Sequence, residues 1–367
     1  MKLPDGYNYF DNLVKHVGKD YRFFHGKFVY PRQLEIHLPG NGKRACRLHC
    51  SGCQGSLYTK SLGKWELTGL GLLNNLKGQV PYHIYGGAYT EPLMNPFLTT
   101  YLATTKKYGN HFGIHTNGVL LKNLEDNFGF LTYLSEWATD SEDYLSISLD
   151  GGIAEDWAKY KRVKDESLFD GIIKGIYQAA KLRKKHSLRI CFLISEHTGN
   201  YENFEAITRI ARETQVDSLR FSIPYAIYNQ DFLVLEKYRD KVEKPMHKKY
   251  VEMLQPFLQL DKSVKPYIFY VDPVTTSFDQ YNFKKCIYSY YQITLGADGY
   301  LYRCSAVAAP DAKNHRLGKI TSDLDEFNKS VLANYNEDWD CQEQCFAKGL
   351  RCNRMAIECN HEYERIL

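Results

Sequence analysis

Three cysteines stand close together near the N-terminus, Cys46-Arg-Leu-His-Cys50-Ser-Gly-Cys53, in the spacing C-x3-C-x2-C. Thiolates are soft ligands, and three of them at this spacing suit three corners of an iron–sulfur cube. Four cysteines close the usual protein-bound cluster, so three leave one iron open to a substrate or cofactor. An open coordination position is what separates a reactive metal site from a closed structural one. Zinc is the competing occupant, with His49 as a fourth ligand. Zinc sites more often combine a C-x2-C pair with a second pair or with histidines.

The other cysteines sharpen this reading. Of ten in 367 residues, three lie at 46–53, six at 286–359, and Cys191 alone lies between. The opening Met1-Lys-Leu-Pro-Asp-Gly carries no apolar signal stretch, which predicts a cytoplasmic protein. In that compartment clustered cysteines read as metal ligands rather than as disulfides. Cys191, inside the apolar run Ile190-Cys191-Phe192-Leu193-Ile194, reads as a buried core thiol. Hydrophobic residues make up 44% and charged residues 25%, the proportions of a globular chain. No apolar run reaches the ~18 residues of a membrane span. A net charge of +4 is too mild to point to nucleic acid. Neither a membrane nor a nucleic acid is therefore expected as a partner.

Around the cysteines, short apolar runs alternate with helical stretches, the pattern of βα units and a parallel sheet. Strands are predicted at Leu34 to Leu38, Tyr82 to Tyr85, His111 to His115, Tyr144 to Leu149, Leu188 to Ile194 and Ser218 to Ile223. Helices fill the intervals: about Lys60 to Leu76, Pro96 to Tyr108, a stretch up to Trp137, two segments up to Lys185, and Glu202 to Thr214. Six such units make an α/β fold, a partial (β/α)6 TIM-like barrel, in which chemistry collects on the loops after the strands. The cysteine loop, Gly86-Gly87, Asn117, Asp150 and Glu196 all fall on that one edge. The predicted organisation is an N-terminal segment at 1–33, the barrel at 34–225, a connecting and helical region at 226–280, and a cysteine-rich extension at 281–367.

Cys46, Cys50 and Cys53 resemble the cluster motif of the radical S-adenosylmethionine (radical SAM) family. The resemblance implies a [4Fe–4S] cluster whose open iron is chelated by SAM, reductive cleavage of SAM to a 5'-deoxyadenosyl radical, and hydrogen abstraction from a substrate. It implies an external electron donor such as flavodoxin or ferredoxin. Gly86-Gly87 resembles the glycine motif whose backbone approaches the SAM amino group, where glycine permits close approach. The family often places a glutamate directly after the pair. In Gly86-Gly87-Ala88-Tyr89-Thr90-Glu91 either Glu91 takes that role or backbone carbonyls do. A second departure is Gly52, where many relatives carry an aromatic residue against adenine. His115-Thr116-Asn117-Gly118 is similar to the turn after the third strand, and Ser146-Ile147-Ser148-Leu149-Asp150-Gly151 to the motif after the fourth. Asn117, Ser148 and Asp150 are thereby candidates for the SAM pocket, with Glu196 and Asn200 after the fifth strand as further ones.

A second cysteine pattern occupies the C-terminal region. Cys286, Gly299 and Cys304 are spaced C-x12-G-x4-C. Between the cysteines, Tyr290 to Leu295 and Tyr300 to Tyr302 read as two strands around an Ala297-Asp298-Gly299 turn, and Asp-Gly favours a hairpin. A helical stretch precedes them at Met246 to Leu260. Cys341, Cys345, Cys352 and Cys359 follow. This region resembles the SPASM extension of radical SAM enzymes, or its shorter relative, the twitch domain, which implies at least one auxiliary [4Fe–4S] cluster. Two ligand sets stay open. Cys286 and Cys304 join Cys341 and Cys345 around one cluster, or the last four cysteines hold one cluster and Cys286 and Cys304 belong to a second, incomplete one. Structural zinc is the alternative for four cysteines. In the one-cluster arrangement Cys352 and Cys359 are spare and become candidate hydrogen donors to a substrate radical.

The SPASM resemblance implies tailoring of a natural product. A ribosomal peptide, cross-linked or epimerised, is the first expectation. A sugar-like small molecule is the second, with a carbohydrate or cyclitol epimerase or an alcohol dehydrogenase as the activity. Only 33 residues precede the first predicted strand, too few for a typical leader-recognition domain, which weighs against the peptide. An iron–sulfur electron carrier is the reading from another class, but a carrier favours closed four-cysteine sites.

Overall fold

The computed structural model describes residues 28–41, 45–50, 53, 65–87, 90–223, 244–259, 261, 263–271, 292–305, 308 and 313–336. Six parallel strands appear in the predicted order: β1 Gln33–Ile36, β2 Tyr82–Tyr85, β3 His111–Thr116, β4 Tyr144–Ser148, β5 Ser187–Leu193 and β6 Ser218–Ser222. The sheet continues at both ends. Beyond β6 lies β7, Tyr267–Val271, also parallel. On the other side β8, Gln292–Leu295, pairs in parallel with β1, and β9 (Tyr300–Tyr302) and β10 (Arg316–Lys319) follow antiparallel. Among the described residues one ten-stranded sheet results, in the order β10-β9-β8-β1-β2-β3-β4-β5-β6-β7. It is the expected mostly parallel α/β sheet of a partial barrel, extended by the hairpin of the C-terminal region.

Strand residues alternate between two environments, as period-two geometry requires. Leu34 and Ile36, Phe112 and Ile114, Leu145 and Ile147, Leu188 and Ile190, and Leu219 and Phe221 all belong to one apolar cluster. Helices cover that face: α1 Glu66–Leu76, α2 Leu98–Lys107, α3 Leu121–Phe128, α4 Phe130–Trp137, α5 Ala154–Lys161, α6 Ser167–Leu182 and α7 Tyr201–Glu213. Each large side chain buried there contributes about 1.5–3 kcal/mol, and Phe112, Phe192 and Phe221 are wholly buried. The intervening residues form the opposite, inner face, which is polar. On it Glu35 bonds Gln292 at 2.8 Å, His115 bonds the Tyr144 hydroxyl at 2.9 Å, and Arg189 lies over the Tyr144 ring at 4.0 Å.

Helix boundaries follow local chemistry. α7 starts where the Asn200 side chain accepts the Asn203 amide at 2.9 Å, an ordinary N-cap. α3 ends at Gly129, in the left-handed conformation that glycine adopts at low cost. Of the helix predicted from Lys60, the described part is α1, Glu66–Leu76, and the one predicted at 246–260 is α8, Lys244–Leu254, followed by a single 3-10 turn. The predicted hairpin is present, with Gly299 at φ +87° in its turn. The Trp65 indole donates to Ala297 O at 3.1 Å and fixes the turn beside α1. After β10, α9 (Leu324–Asn336) completes the described elements.

Candidate metal centre

The cysteine loop follows β1 and sits at the ends of the parallel strands. Cys46, Cys50 and Cys53 are all partly exposed, and none forms a disulfide. The loop is held at three points. Ala45 O accepts the Glu91 amide at 2.9 Å, from the segment after β2. Cys46 Sγ accepts from Asn117 Nδ2 at 3.3 Å, from the turn after β3, and from the Leu48 amide at 3.4 Å. The His49 amide donates to Lys161 O at 3.1 Å, at the end of α5. Between the second and third cysteines the Cys53 amide closes a turn on Cys50 O at 3.1 Å.

The donor set fits an iron–sulfur centre. Burial pushes the Cys46 thiol up to about 12, with the Glu91 carboxyl adding to the rise. Burial likewise raises Cys50, opposed by the Lys161 ammonium and reinforced by Cys53. Burial and the mutual repulsion of the three sulfurs make them costly as bare thiolates, and metal coordination would supply the opposing charge. N–H donors on Cys46 Sγ suit a ligated thiolate.

Glu91, 3% exposed, organises the surroundings. Its Oε1 accepts Thr116 Oγ1 at 2.6 Å and the Leu93 amide at 3.1 Å, and its Oε2 accepts the Asn117 amide at 2.8 Å. Burial pushes this carboxyl up to about 7 despite those bonds. Both oxygens are thus committed to the turn that presents Asn117 to Cys46. Asn117 Oδ1 accepts the Val119 amide at 2.9 Å, which leaves the side-chain amide aimed at sulfur.

The glycine pair is required by its neighbours. A Cβ on Gly86, at φ +142°, would lie 2.8 Å from His115 Cβ and O, and a Cβ on Gly87 would lie 2.3 Å from the His37 imidazole. The two glycines therefore admit histidines from β3 and from just after β1. His37 Nε2 bonds Glu35 Oε1 at 2.9 Å. Burial opposes ionisation of Glu35, but bonds and charge from His37, with Ser305 also bonded, hold its carboxyl below the usual range. Glu35 thereby links the polar inner face to the residue after Cys304.

Ser148 ends β4, partly exposed, in register with Cys191 of β5. Cys191 is buried, as expected, but on the inner face, 3.2 Å from Ser146 Oγ, rather than in the apolar cluster. Asp150 takes a left-handed backbone, φ +59°. Its Oδ2 pairs with Lys161 Nζ at 2.5 Å and its Oδ1 accepts the Leu193 amide at 2.7 Å. Glu196 stands apart from this group: its side chain is 85% exposed and lies 3.6 Å from His197. Asn200 caps α7, and Asn203 beside it accepts the Gly152 and Ile153 amides at 2.7 and 3.1 Å. Cys304 follows β9, partly exposed. Cys286, Cys341, Cys345, Cys352 and Cys359 lie outside the described residues. Sequence reasoning missed Glu35, His37, Lys161 and Asn203. The polar alternation Gln33-Leu34-Glu35-Ile36-His37 was a usable signal for the first two.

Among the described residues no helix is long and apolar enough to cross a membrane. No protein-family model and no curated protein matches the chain. Solved structures do. Streptococcus suis SuiB bound to precursor peptide SuiA matches with a TM-score of 0.56 and 15% identity, over 89% of this chain and 69% of that one. Native anSMEcpe with bound AdoMet matches with a TM-score of 0.56 and 17% identity, over 90% of this chain and 95% of that one. The same protein with AdoMet and the Cp18Cys peptide gives 0.54 at 15% identity, over 90% and 95%. These neighbours are radical SAM enzymes, and the fold that carries Cys46, Cys50 and Cys53 is theirs.

Proposed function

We propose that this chain is a radical SAM enzyme that acts on a ribosomal peptide. The observation that carries the reading is the three-cysteine loop, pinned by the segments after β2, β3 and β4 at the edge where partial barrels gather their chemistry. When bound there, a [4Fe–4S] cluster and SAM would supply a 5'-deoxyadenosyl radical for hydrogen abstraction. Cys46, Cys50 and Cys53 hold the cluster. Asn117 orients Cys46 through its N–H···S bond, and Glu91 keeps Asn117 in place. Gly86, Gly87 and Ser148 line the approach for SAM. Asp150 acts through Lys161 rather than through a spare oxygen. The polar inner face, with Glu35, His115, Tyr144 and Arg189, receives the substrate.

The peptide substrate is supported by the neighbours of like fold, one with a precursor peptide and one with a peptide bound. Cross-linking or epimerisation is the outcome this reading favours. The region from 281 to 367 serves as the SPASM-like extension, with Cys304 as one ligand of an auxiliary cluster and a flavodoxin or ferredoxin as electron source.

The test is anaerobic reconstitution with iron and sulfide, reduction in the presence of SAM, and quantification of 5'-deoxyadenosine and iron. Wild type is expected to form deoxyadenosine. The Cys46/Cys50/Cys53→Ala triple variant is expected to form none and to retain about four irons, the content of one auxiliary cube. Zinc in place of iron after anaerobic purification would overturn the reading.

A further inference from the structure

The inner face of the sheet sorts its charges by strand. Across the eight parallel strands the one acidic side chain is Glu35, and the fully charged cations are Arg189 of β5 and Arg220 of β6. In sequence each arginine is flanked by members of the apolar cluster, Leu188 and Ile190 on one strand and Leu219 and Phe221 on the next. Strand alternation therefore turns both arginines to the inner face. Glu35 is engaged on the β1–β8 side of the sheet, where Oε1 bonds His37 Nε2 at 2.9 Å and Oε2 accepts Gln292 Nε2 at 2.8 Å.

Arg189 is oriented in advance. A Cβ on Gly113 of β3 would lie 2.3 Å from the Tyr144 ring, so the glycine lets this tyrosine lie across β3. The Tyr144 hydroxyl bonds His115 Nε2 at 2.9 Å, and the Arg189 guanidinium stands 4.0 Å from the centre of the ring. Stacking on an aromatic fixes the plane of a guanidinium while its N–H groups point outward along the edge. Arg220 pairs in register with Cys191, two residues beyond Arg189 on β5. With strands about 4.8 Å apart and a rise of about 3.3 Å per residue, the Cα atoms of the two arginines stand about 8 Å apart. Long side chains bridge such a diagonal. The neighbouring inner positions are small, with Ser146 and Ser148 on β4 and Ser218 and Ser222 on β6. Two cations on one half-buried wall repel each other and lose hydration, and an anion between them offsets that cost. Forked guanidinium donors match a planar carboxylate with two parallel bonds.

We propose that Arg189 and Arg220 form a carboxylate subsite for the substrate, so that the peptide segment entering the barrel carries an aspartate or glutamate side chain. This rests on the reading of the inner face as the substrate chamber of a radical SAM enzyme. The carboxylate of SAM offers the same chemistry from a second source, and the test separates the two.

The experiment is timed modification of arginines by phenylglyoxal in the reconstituted full-length protein, read residue by residue by peptide mass spectrometry. It needs no substitution of a half-buried arginine. The arms are no addition, SAM alone, SAM with N-acetylglutamate amide, and SAM with N-acetylglutamine amide. Arg209 and Arg212, exposed on α7, serve as internal controls. The glutamate compound is expected to slow modification of Arg189 and Arg220 saturably, by about tenfold once it stands at about ten times its dissociation constant. The glutamine compound and SAM alone are expected to leave both rates near those without addition, and the controls are expected to stay constant throughout. Full protection by SAM alone assigns the arginines to SAM and overturns the proposal. Equal protection by the glutamate and glutamine compounds overturns it, because charge is then not what the site reads. Rates unchanged in every arm overturn it, as does a failure of phenylglyoxal to reach either arginine while it modifies the controls. Iron and 5'-deoxyadenosine are measured on the same preparation. Their absence beside intact glutamate protection overturns the radical SAM reading and leaves the subsite standing, so the two failures are read separately.

Discussion

Replacing Glu91 by glutamine isolates the ionisation of one buried carboxyl. In the folded chain burial lifts this group from 4.5 to about 7. The difference is about 2.5 pH units, and at ~1.36 kcal/mol per unit it amounts to about 3 kcal/mol. The sign follows from proton counting. Between pH 4.5 and 7 the folded chain holds a proton that the unfolded chain has released, so stability falls as pH rises through this window. Below the window the contribution is fully present, and above it the contribution is gone. Glutamine cannot ionise, so the variant lacks this slope. It also carries a fixed loss, because its amide nitrogen replaces one of the oxygens that accept Thr116 Oγ1, the Leu93 amide and the Asn117 amide. An unsatisfied buried donor costs about 1–3 kcal/mol. Urea denaturation of the cluster-free protein from pH 4.5 to 8 measures both. The stability advantage of wild type over the variant should shrink by about 3 kcal/mol across that range. Other titrating groups, such as His111 and His186, cancel in the difference. Two curves that run parallel with pH would falsify the claim that this carboxyl ionises late.

Three further outcomes are expected. Gly87→Ala forces a Cβ to 2.3 Å from the His37 ring; it should cost about 1–3 kcal/mol in thermal unfolding, and a second change, His37→Ala, should recover much of the loss. His186 is buried and held neutral, with burial lowering it to about 4. Its stability contribution is fully present above pH 6.5 and falls away as pH drops towards 4, so His186→Leu should flatten the acid limb of a stability–pH curve by about 3 kcal/mol. Asn203→Ala orphans the Gly152 and Ile153 amides and should lose about 1–3 kcal/mol, seen as faster hydrogen exchange at those two amides; unchanged exchange would mean another group satisfies them.

The parts of the fold legible in the sequence were those whose signal is local. β1 to β6 each combine a short apolar run with a following loop, and all six appear in order. The Ala297-Asp298-Gly299 turn reads as a hairpin because two residues decide it. β7 was missed although Tyr267-Ile268-Phe269-Tyr270-Val271 is an apolar run of strand length, because it is embedded in a polar stretch that reads as helix and connection. That β8 joins β1 could not be read locally, since the pairing depends on partners 259 residues apart. The site shows the same division. The cysteines and Asn117 announce themselves by spacing and turn chemistry. The roles of Glu91 and Asp150 do not, because each is set by what its oxygens meet in space. Asp150 meets Lys161, eleven positions on, only because α5 turns the chain back towards the loop.

The pairing of β8 with β1 has a consequence for how the molecule is made. β1 is among the first strands to leave the ribosome, yet the edge it offers to β8 waits for residues 292–295. At about 5–20 residues per second, the intervening 259 residues take roughly 13–50 s to emerge. For that interval the nascent chain presents an unpaired strand edge directly before the cysteine loop, and unpaired edges recruit other strands. Under the proposed function, iron and sulfur would be delivered to Cys46, Cys50 and Cys53 most safely after synthesis of the hairpin, when the strand that leads into the loop has both its neighbours.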